Sequence, residues 1–581
     1  MFRSKNRLGG KAHTLGVVLD WLGDPYQATI CDGIEQGAAH AGANLLIFVG
    51  GALAAAKSEG APRHQVYELA GRHNLDGLIV LASTLSHHVG LEGVQDFCDQ
   101  FTGLPLCSVG VALPHTPSVT IDNEAGMAKV VAHLIEQHEA RHIAFVTGPM
   151  ANAESDLRLG AYRATLAAHG LPADEQLIVQ GTFMLDSGAL AVRTLTKRFG
   201  PRLEHLDAIV TANDNMAIGA MDELGRMGIS VPERVAVVGF DDIDEARLTE
   251  PSLTTSRQPL DRIGMEAVRR LLQGSGETND LRISTELVVR QSCGCSGLGV
   301  KNRSIVASKQ RFQIALMGQR ERITAQLGRA ACGRFAAAGA GWEQSLLGAL
   351  VDDLIEGRPQ HFPIAAERLI QRLGAAKVDL NTVDEVMSAL REEIVPLVLS
   401  EPEKHRLAED LFHATRHSTS AALQRGLGRA HLLLMRWARR ISMICNAISA
   451  SKDCAELRAR TRELLPQLGL RHYFICIYDV PGDSSQARLV ASSDAPGGVA
   501  LTPRPFRGRE LLPPELATVE GPGVSFAVLP LLGVDAVIGH VLLEYTAQHA
   551  FTCGAVSEAF SIALRNFPRA GPNPGEGAII G

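Results

Sequence analysis

The sequence predicts two α/β lobes with doubly wound parallel sheets, then an α-helical segment and a small α+β domain. Three successive patterns along the 581 residues support this prediction. Through residue 290, short apolar runs alternate with segments of helix length, as in parallel sheets covered by helices. From about Ser304 to Leu468 the apolar residues recur with a period of 3.6, and from Arg471 the strand pattern returns.

Composition and charge are those of a globular protein with several domains. The formal net charge is −7, so no overall bias favours nucleic acid or an anionic membrane. We find no apolar run of membrane-spanning length, and no signal peptide follows the basic residues 1–12. We expect that start, and the Pro/Gly-rich tail 568–581, to be disordered. Most of the ten cysteines lie in apolar runs, which is typical of buried thiols in the cytoplasm.

The alternating region, residues 13–295, contains at least eight predicted strands. They cover residues 15–19, 44–49, 75–81, 104–109, 142–147, 177–180, 207–211 and 235–240. Because eight strands exceed one ordinary sheet, we expect two lobes, joined by three crossings near residues 110–121, 240–250 and 280–290. The cleft between two such lobes is the expected place for a ligand.

Polar and aromatic side chains follow these strands repeatedly. They are Asp20, Trp21, Tyr26, Arg158, Phe183, Asn213 and Asp241. Helix capping accounts for Asp and Asn, but not for Trp, Phe and Arg in equivalent positions. Because ligands bind beyond the carboxyl ends of parallel strands, the pattern predicts a site for a polyhydroxylated or ring-shaped small molecule.

Several longer segments resemble the effector domain of the lactose/galactose-repressor (LacI/GalR) family. They are SVTIDNEAG (118–126), RLGAYRATL (158–166), TANDNMAIGA (211–220), VPERVAVVGFDDI (231–243), PSLTTSRQPLDRIG (251–264) and TELVVRQSCGC (285–295). The resemblance covers about residues 13–295. It implies a two-lobed, periplasmic-binding-protein-like fold that closes on sugars or purines.

The resemblance also implies roles for the candidate residues. By position, Arg158 contacts ligand hydroxyls, and Phe183 stacks on the ligand. Asn213 and Asp241 hydrogen-bond the ligand, and Gln258 lies in a crossing between the lobes. The first ligand loop contains Asp20, Trp21 and Tyr26. A purely structural role stays equally open for Asp20, Tyr26 and Gln258.

Two expectations concern how these side chains are used. We expect Asn213 to face the cleft, while Asp214 or Asn215 caps the following helix. We expect Arg158 and Asp241 to be reached by water in the open state, and therefore to contribute little to the stability of the fold.

The sequence departs from the family at its start. A repressor carries a helix-turn-helix and a hinge ahead of its effector domain, but the first strand here begins near Leu15. The resemblance therefore does not support direct DNA contact.

The helical segment, residues 304–468, contains a heptad pattern over residues 423–448. The seam consists of Leu423, Leu427, Leu434, Trp437, Ile441, Ile444 and Ile448. This pattern favours a coiled-coil homodimer, and an amphipathic helix packed on its own domain is the alternative.

Residues 469–567 resemble a diverged GAF-type domain in the order of their strands, terminal hairpin and exit helix. The whole arrangement is similar to bacterial signalling proteins that place a sensor, a helical segment and a GAF-like domain before an output module. No cyclase, kinase or P-loop motif of such a module occurs in the sequence.

We therefore predict a cytoplasmic sensor of a sugar or a purine-like molecule that acts through a protein partner. A transcription factor that binds DNA, directly or through a partner, is the alternative. The sequence shows no nucleophile–base pair, so we do not expect an enzyme. Cys293 and Cys295 form a C-x-C pair without a second Cys/His pair at suitable spacing, so we expect no metal and no cofactor.

Overall fold

The computed structural model describes residues 13–54, 63–150, 152–273, 280–295, 312–376, 378–493, 505–513, 516, 523–546 and 549–567. The two termini predicted to be disordered lie outside these residues. The chain divides into two units, one of Met1–Leu298 with Ile441–Gly581 and one of Gly299–Arg440. Within the described residues, no helix combines the length and apolarity needed to cross a membrane.

Strands and helices alternate through the first 295 residues, as the sequence predicts. In chain order the elements are β1 (Thr14–Leu19), α1 (Pro25–His40), β2 (Asn44–Val49), β3 (Gly77–Leu81), α2 (Ala82–Leu85), α3 (Gly90–Asp99), β4 (Leu106–Val109), β5 (Ser118–Ile121), α4 (Asn123–His138), β6 (Ile143–Thr147), α5 (Ala153–Ala168), β7 (Ile178–Gln180), α6 (Leu185–Phe199), β8 (Ala208–Thr211), α7 (Asp214–Arg226), β9 (Ala236–Asp241), β10 (Thr254–Arg257), α8 (Leu260–Gln273), β11 (Leu281–Ile283) and β12 (Glu286–Val288).

These strands form two sheets, and each sheet is the core of one lobe. The first lobe contains strands in the order β11-β5-β4-β3-β1-β2, and the second contains β12-β10-β9-β8-β6-β7. Neighbouring strands are parallel, except that β12 runs antiparallel to β10. Helices α1 and α8 cross closely on the first lobe. A Cβ at Gly33 would lie 2.0 Å from the Asp261 carbonyl oxygen, so only glycine permits this approach.

The chain passes between the lobes three times. The passages lie after β5, between β10 and α8, and between β11 and β12. The prediction of a crossing at residues 240–250 is therefore wrong, because the chain crosses instead at residues 258–259. The reason is that β10 pairs with β9, which keeps the chain in the second lobe as far as Arg257.

The unit from 299 to 440 is helical where it is described. Its helices are α9 (Phe312–Met317), α10 (Arg320–Ala330), α11 (Trp342–Glu356), α12 (His361–Ala375), α13 (Asn381–Val398) and α14 (Pro402–Ser449), the last of which continues into the other unit. Buried leucine, isoleucine, valine and phenylalanine side chains from these helices form one core.

The predicted heptad seam on α14 does not share one environment, because Leu423 packs against the helical core and Trp437 is half-buried. Leu427 and Leu434 are 62% and 67% exposed. Ile441, Ile444 and Ile448 are buried within the chain's own fold, which contradicts their assignment to an intermolecular seam. This end of α14 packs beside the C-terminal helix described next, so its apolar face is already covered.

The C-terminal elements complete the first lobe. They are α15 (Cys454–Leu464), β13 (Tyr473–Val480), β14 (Asp483–Ser492), β15 (Ser525–Leu532), β16 (Val537–Glu544) and α16 (Ala550–Asn566). Strands β15 and β16 form the predicted antiparallel hairpin. However, β15 also pairs in parallel with β2, and the result is one sheet of ten strands.

This continuous sheet differs from the prediction of a separate GAF-like domain at 469–567. Strand β2 would otherwise leave a row of unpaired backbone groups at the edge of the first lobe. Phe526 and Val528 of β15 lie opposite Leu46 and Phe48 of β2, and all four side chains are buried in one hydrophobic cluster. The C-terminal strands therefore share a core with the first lobe.

Candidate functional site

Arg158 of α5 is the centre of a buried polar cluster where the two lobes meet. Its Nε donates to Asn123 Oδ1 at 2.7 Å, and its Nη1 donates to the Ala212 carbonyl oxygen at 2.6 Å. Carboxylate oxygens of Glu154 and Asp241 lie 3.6 and 3.8 Å from the guanidinium nitrogens. Only 3% of Arg158 is exposed, so these interactions occur away from bulk water.

Asp241, at the end of β9, joins this cluster to Gln258. Gln258 Nε2 donates to Asp241 Oδ1 at 2.6 Å, and only 5% of Asp241 is exposed. Burial raises the pKa of Asp241, while Arg158 opposes this effect. Both side chains are buried and paired in the arrangement seen here, which argues against a small contribution to the stability of the fold, whereas the expectation that water reaches them concerns the open state.

The neighbouring Asp242 has a different role. Its carboxylate accepts from Arg257 Nε at 2.6 Å and from Arg290 Nη2 at 2.5 Å, and Arg247 lies 3.7 Å away. Burial acts to raise the pKa of Asp242, but the hydrogen bonds from Arg290 and Arg257 hold it below its ordinary value. Asp242 therefore fastens the end of β9 to the strands beside it.

Asn213 caps α7, and this corrects the prediction that Asp214 or Asn215 does so. Asn213 Oδ1 accepts from the Met216 backbone N–H at 3.0 Å, and its Nδ2 donates to the Phe183 carbonyl oxygen at 3.0 Å. Asp214 is instead buried and accepts from Thr255 Oγ1 at 2.6 Å. Asn213 thus holds the loop that carries Phe183 while it caps the helix.

Phe183 faces the first lobe. Its ring centroid lies 5.8 Å from that of His87, which follows β3 in the other lobe. A Cβ added at Gly148 would lie 2.3 Å from the Phe183 ring, so the ring packs directly on the Gly148 backbone. The φ of Phe183 is +66°, a conformation that L-residues adopt rarely.

The first ligand loop contributes two of its three predicted residues to this region. Burial raises the pKa of Tyr26 well above its ordinary value, and Glu154 and Asp241 of the second lobe raise it further. Asp20 is partly buried beside His87, whose pKa it affects. Trp21 is 55% exposed, and the Arg63 guanidinium lies 5.9 Å from the centroid of its ring.

Sequence reasoning missed several members of the cluster. Glu154 stands four residues before Arg158, on the same face of α5, and this spacing was an available signal. Asn123 lies within the motif 118–126. Asn152 Nδ2 donates to the Ser83 carbonyl oxygen at 3.1 Å and so links the lobes, but no sequence pattern marks that pair.

Two buried acceptors in this region have no hydrogen-bond partner among the described residues. They are Asp20 Oδ1 of the first lobe and Gln258 Oε1, beside the second. Buried polar atoms are normally paired, so each calls for a donor from outside the chain. We use the name interlobe site for Asp20, Tyr26, Arg158, Phe183, Asn213, Asp241 and Gln258. Its buried charged and amide side chains, with the partly buried rings of Tyr26 and Phe183, suit a small molecule rich in hydroxyl groups.

A pH dependence follows from Asp24, which caps α1. Burial raises the pKa of Asp24 to about 6, and Asp20 and Glu245 add to this effect. Because the pKa of Asp24 is raised in the folded protein, its contribution to the free energy of unfolding is complete below about pH 4. This contribution is lost as the pH rises through about 6. We expect the free energy of unfolding to fall over this range more in the wild type than in Asp24→Asn, which keeps the cap. Urea unfolding of both proteins between pH 4.5 and 7.5, in steps of about one pH unit, measures these free energies. If the free energy of unfolding changes with pH equally in both proteins, the prediction is wrong.

A second cluster lies in the second lobe. His133, His138, Cys293 and Cys295 place one ligand atom each within 4.8 Å of one another. The expectation that the C-x-C pair has no partner pair is therefore wrong. The histidines lie some 160 residues earlier in the chain, a separation at which no spacing rule applies.

Two α/β lobes with a buried polar site between them define the class of two-lobed effector-binding domains. Residues 131–293 match the profile of the periplasmic binding protein-like domain. The transcriptional regulator CelR of Thermobifida fusca is 36% identical over 232 residues, which are 39% of this chain and 65% of CelR. AscG of Escherichia coli K12, also an HTH-type transcriptional regulator, is 38% identical over 178 residues, 30% of this chain and 52% of AscG.

The transcriptional repressor CytR of Escherichia coli K12 is 30% identical over 294 residues, which are 50% of this chain and 81% of CytR. The chain belongs to the LacI/GalR family. It spans about two thirds of CelR and about half of AscG, the first two of these relatives.

Proposed function

We propose that the chain is an effector-responsive transcriptional regulator whose interlobe site binds a sugar or a nucleoside. The observation that carries this proposal is the buried set of Arg158, Asp241 and Gln258, with an acceptor of Gln258 left without a partner among the described residues. A ligand hydroxyl can donate to Gln258 and accept from Arg158. Such charge-assisted hydrogen bonds are strong where water is excluded.

The relatives support the transcriptional part of the proposal. CelR, AscG and CytR are all named as HTH-type transcriptional regulators or repressors, and another relative is named a ribose operon repressor. The ligand regulates by binding one arrangement of the lobes more tightly than the other. This chain resembles these proteins in its effector domain, so DNA binding is tested separately from ligand binding.

The ligand is identified by a thermal-shift screen of the full chain against sugars, nucleosides and purines. A compound at a hundredfold its Kd adds about 2.7 kcal/mol to the stability of the bound form, which is readily measured. We expect one chemical class to raise the melting temperature. If no compound of these classes does so, the assignment of the ligand is wrong.

The output is tested by selecting genomic DNA fragments on the full chain, with and without that ligand. We expect a discrete set of fragments to be retained in one ligand state only. If the ligand binds but no fragment is retained in either state, the output passes through a protein partner.

A separate observation indicates that the chain binds protein through α14. The middle of α14 exposes Leu427, Leu432, Leu433, Leu434 and Met435, each more than half exposed. Consecutive exposed apolar residues on a helix mark a surface that binds protein. We propose that Leu427 and Leu434 pair with a second copy of α14, as the heptad pattern predicts.

The seam yields a prediction with an internal comparison. In the double variant Leu427→Glu/Leu434→Glu we expect the dissociation constant of the dimer to rise at least about tenfold. The reason is that charges replace two leucines that the dimer would bury. Its unfolding free energy should stay close to that of the wild type. Ile441→Glu should instead destabilise the monomer, because Ile441 is 6% exposed within its own chain. Sedimentation velocity and urea unfolding measure both. A monomeric wild type, or a double variant that associates normally, would refute the seam.

A further inference from the structure

Four metal-binding side chains meet at the carboxyl end of the effector domain. His133 and His138 lie in the last two turns of α4, and Cys293 and Cys295 follow β12. His133 Nε2 is 3.4 Å from Cys293 Sγ and 3.6 Å from Cys295 Sγ. His138 Nε2 is 3.3 Å from Cys295 Sγ.

Three of the six distances among these ligand atoms match the edges of a coordination tetrahedron. Zinc binds thiolate sulfur at about 2.3 Å and imidazole nitrogen at about 2.0–2.1 Å, so ligand atoms around one tetrahedral ion lie about 3.3–3.8 Å apart. All three measured edges fall in this range, and the whole set of four atoms spans 4.8 Å. The other distances, none above 4.8 Å, must shorten toward this range when an ion binds.

The surroundings hold the ligands in this arrangement. Thr254 Oγ1 lies 3.2 Å from Cys293 Sγ, where its hydroxyl donates to the sulfur. Gly294 has a φ of +106°, and a Cβ there would lie 3.1 Å from His138 Nδ1. Glycine at this position therefore lets both cysteines approach the helix. Hydrogen-bonded second partners of this kind are typical of metal ligands.

We propose that His133, His138, Cys293 and Cys295 bind one Zn²⁺ ion. Two thiolates and two imidazoles select zinc over magnesium or calcium, which prefer oxygen. Four protein ligands close the coordination sphere, so the ion is structural and leaves no position for a substrate. It fastens the last segment of the effector domain to α4, whose first turn carries Asn123, the partner of Arg158.

The test begins with the metal content of the full chain, produced without a histidine tag and exposed to zinc before excess metal is removed. We expect inductively coupled plasma mass spectrometry to find one zinc per chain in the wild type. Cys295→Ser and His138→Gln should lose it. Cys332→Ser, which changes an exposed cysteine in the helical unit, should keep it.

Cobalt gives a second readout that needs no variant. The protein loaded with Co²⁺ in place of zinc should show the visible bands of a tetrahedral ion and a thiolate-to-cobalt charge-transfer band. Chelation should lower the melting temperature of the wild type and of Cys332→Ser. The proposal is overturned if the wild type retains no zinc, if Cys295→Ser and His138→Gln both retain it fully, or if intact mass shows a Cys293–Cys295 disulfide that zinc does not prevent.

Discussion

Arg158→Ala is expected to lower the unfolding free energy of the ligand-free protein by about 3–5 kcal/mol, the range for breaking a buried charge pair. It should also abolish measurable ligand binding. The substitution leaves the carboxyl groups of Glu154 and Asp241 buried without their cation. It also removes the donors to Asn123 Oδ1 and to the Ala212 carbonyl oxygen. Urea unfolding with and without ligand measures both effects.

Arg163 provides a matched control on the same helix. Its guanidinium forms a 2.6 Å ion pair with Glu175, but the two side chains are 43% and 71% exposed. Arg163→Ala should therefore cost about 0–1 kcal/mol, because solvent screens an exposed pair. If Arg158→Ala is as mild as Arg163→Ala, the cluster does not stabilise the lobes, and the small contribution to stability expected from the sequence is correct.

Phe526→Ala is expected to destabilise the first lobe together with the C-terminal strands, by about 3–5 kcal/mol, the usual cost of deleting a buried phenyl ring. Phe526 is 1% exposed and lies opposite Leu46 of β2 in the continuous sheet. Its ring centroid is 6.0 Å from that of Phe474. Because one core spans both parts, loss of the ring should weaken both in a single transition.

Hydrogen exchange distinguishes this account from the predicted separate domain. In Phe526→Ala the amides of β1, β2 and β3 should lose protection along with those of β13 and β16. Phe551→Ala, which changes a phenylalanine that is 69% exposed, should alter neither set. Loss of protection confined to the C-terminal strands would show that these form an independent domain.

Local patterns were sufficient to predict the two lobes, but not the junction of distant segments. Alternating apolar runs predicted most strands of residues 13–295, because each βα unit carries its own periodicity. No local pattern records that β15 pairs with β2, nearly five hundred residues away along the chain. The strands 525–532 and 537–544 are as apolar as the core strands of a small domain. An extension of a larger sheet requires equally apolar strands, so their composition does not distinguish the two arrangements.

The sequence predicted several of the side chains that gather between the lobes, but not their burial, and their role in binding a ligand stays a prediction. The positions after strands identified Arg158 and Asp241, and the structure brings them within 3.8 Å of each other. Glu154 of the second lobe lies 3.6 Å from Arg158, and the charges of Glu154 and Asp241 raise the pKa of Tyr26 of the first lobe, a neighbourhood that no local pattern in the sequence records. The capping role of Asn213 shows the same limit, because Asn-Asp-Asn offers three candidate caps and only the backbone conformation selects one.

The most direct test of a ligand site between the lobes is calorimetric titration of the screened ligand into the wild type, Asp241→Asn and Asp242→Asn. Asp241→Asn keeps the size of the side chain and removes the charge beside Arg158. Hydrogen bonds to charged groups contribute about 1.5–3 kcal/mol, so we expect affinity to fall about 10- to 150-fold. Asp242→Asn removes the negative charge and one of the two acceptor oxygens beside Arg257 and Arg290, so it should lower stability and leave affinity unchanged. Equal affinity in the wild type and Asp241→Asn would contradict the assignment of the interlobe site.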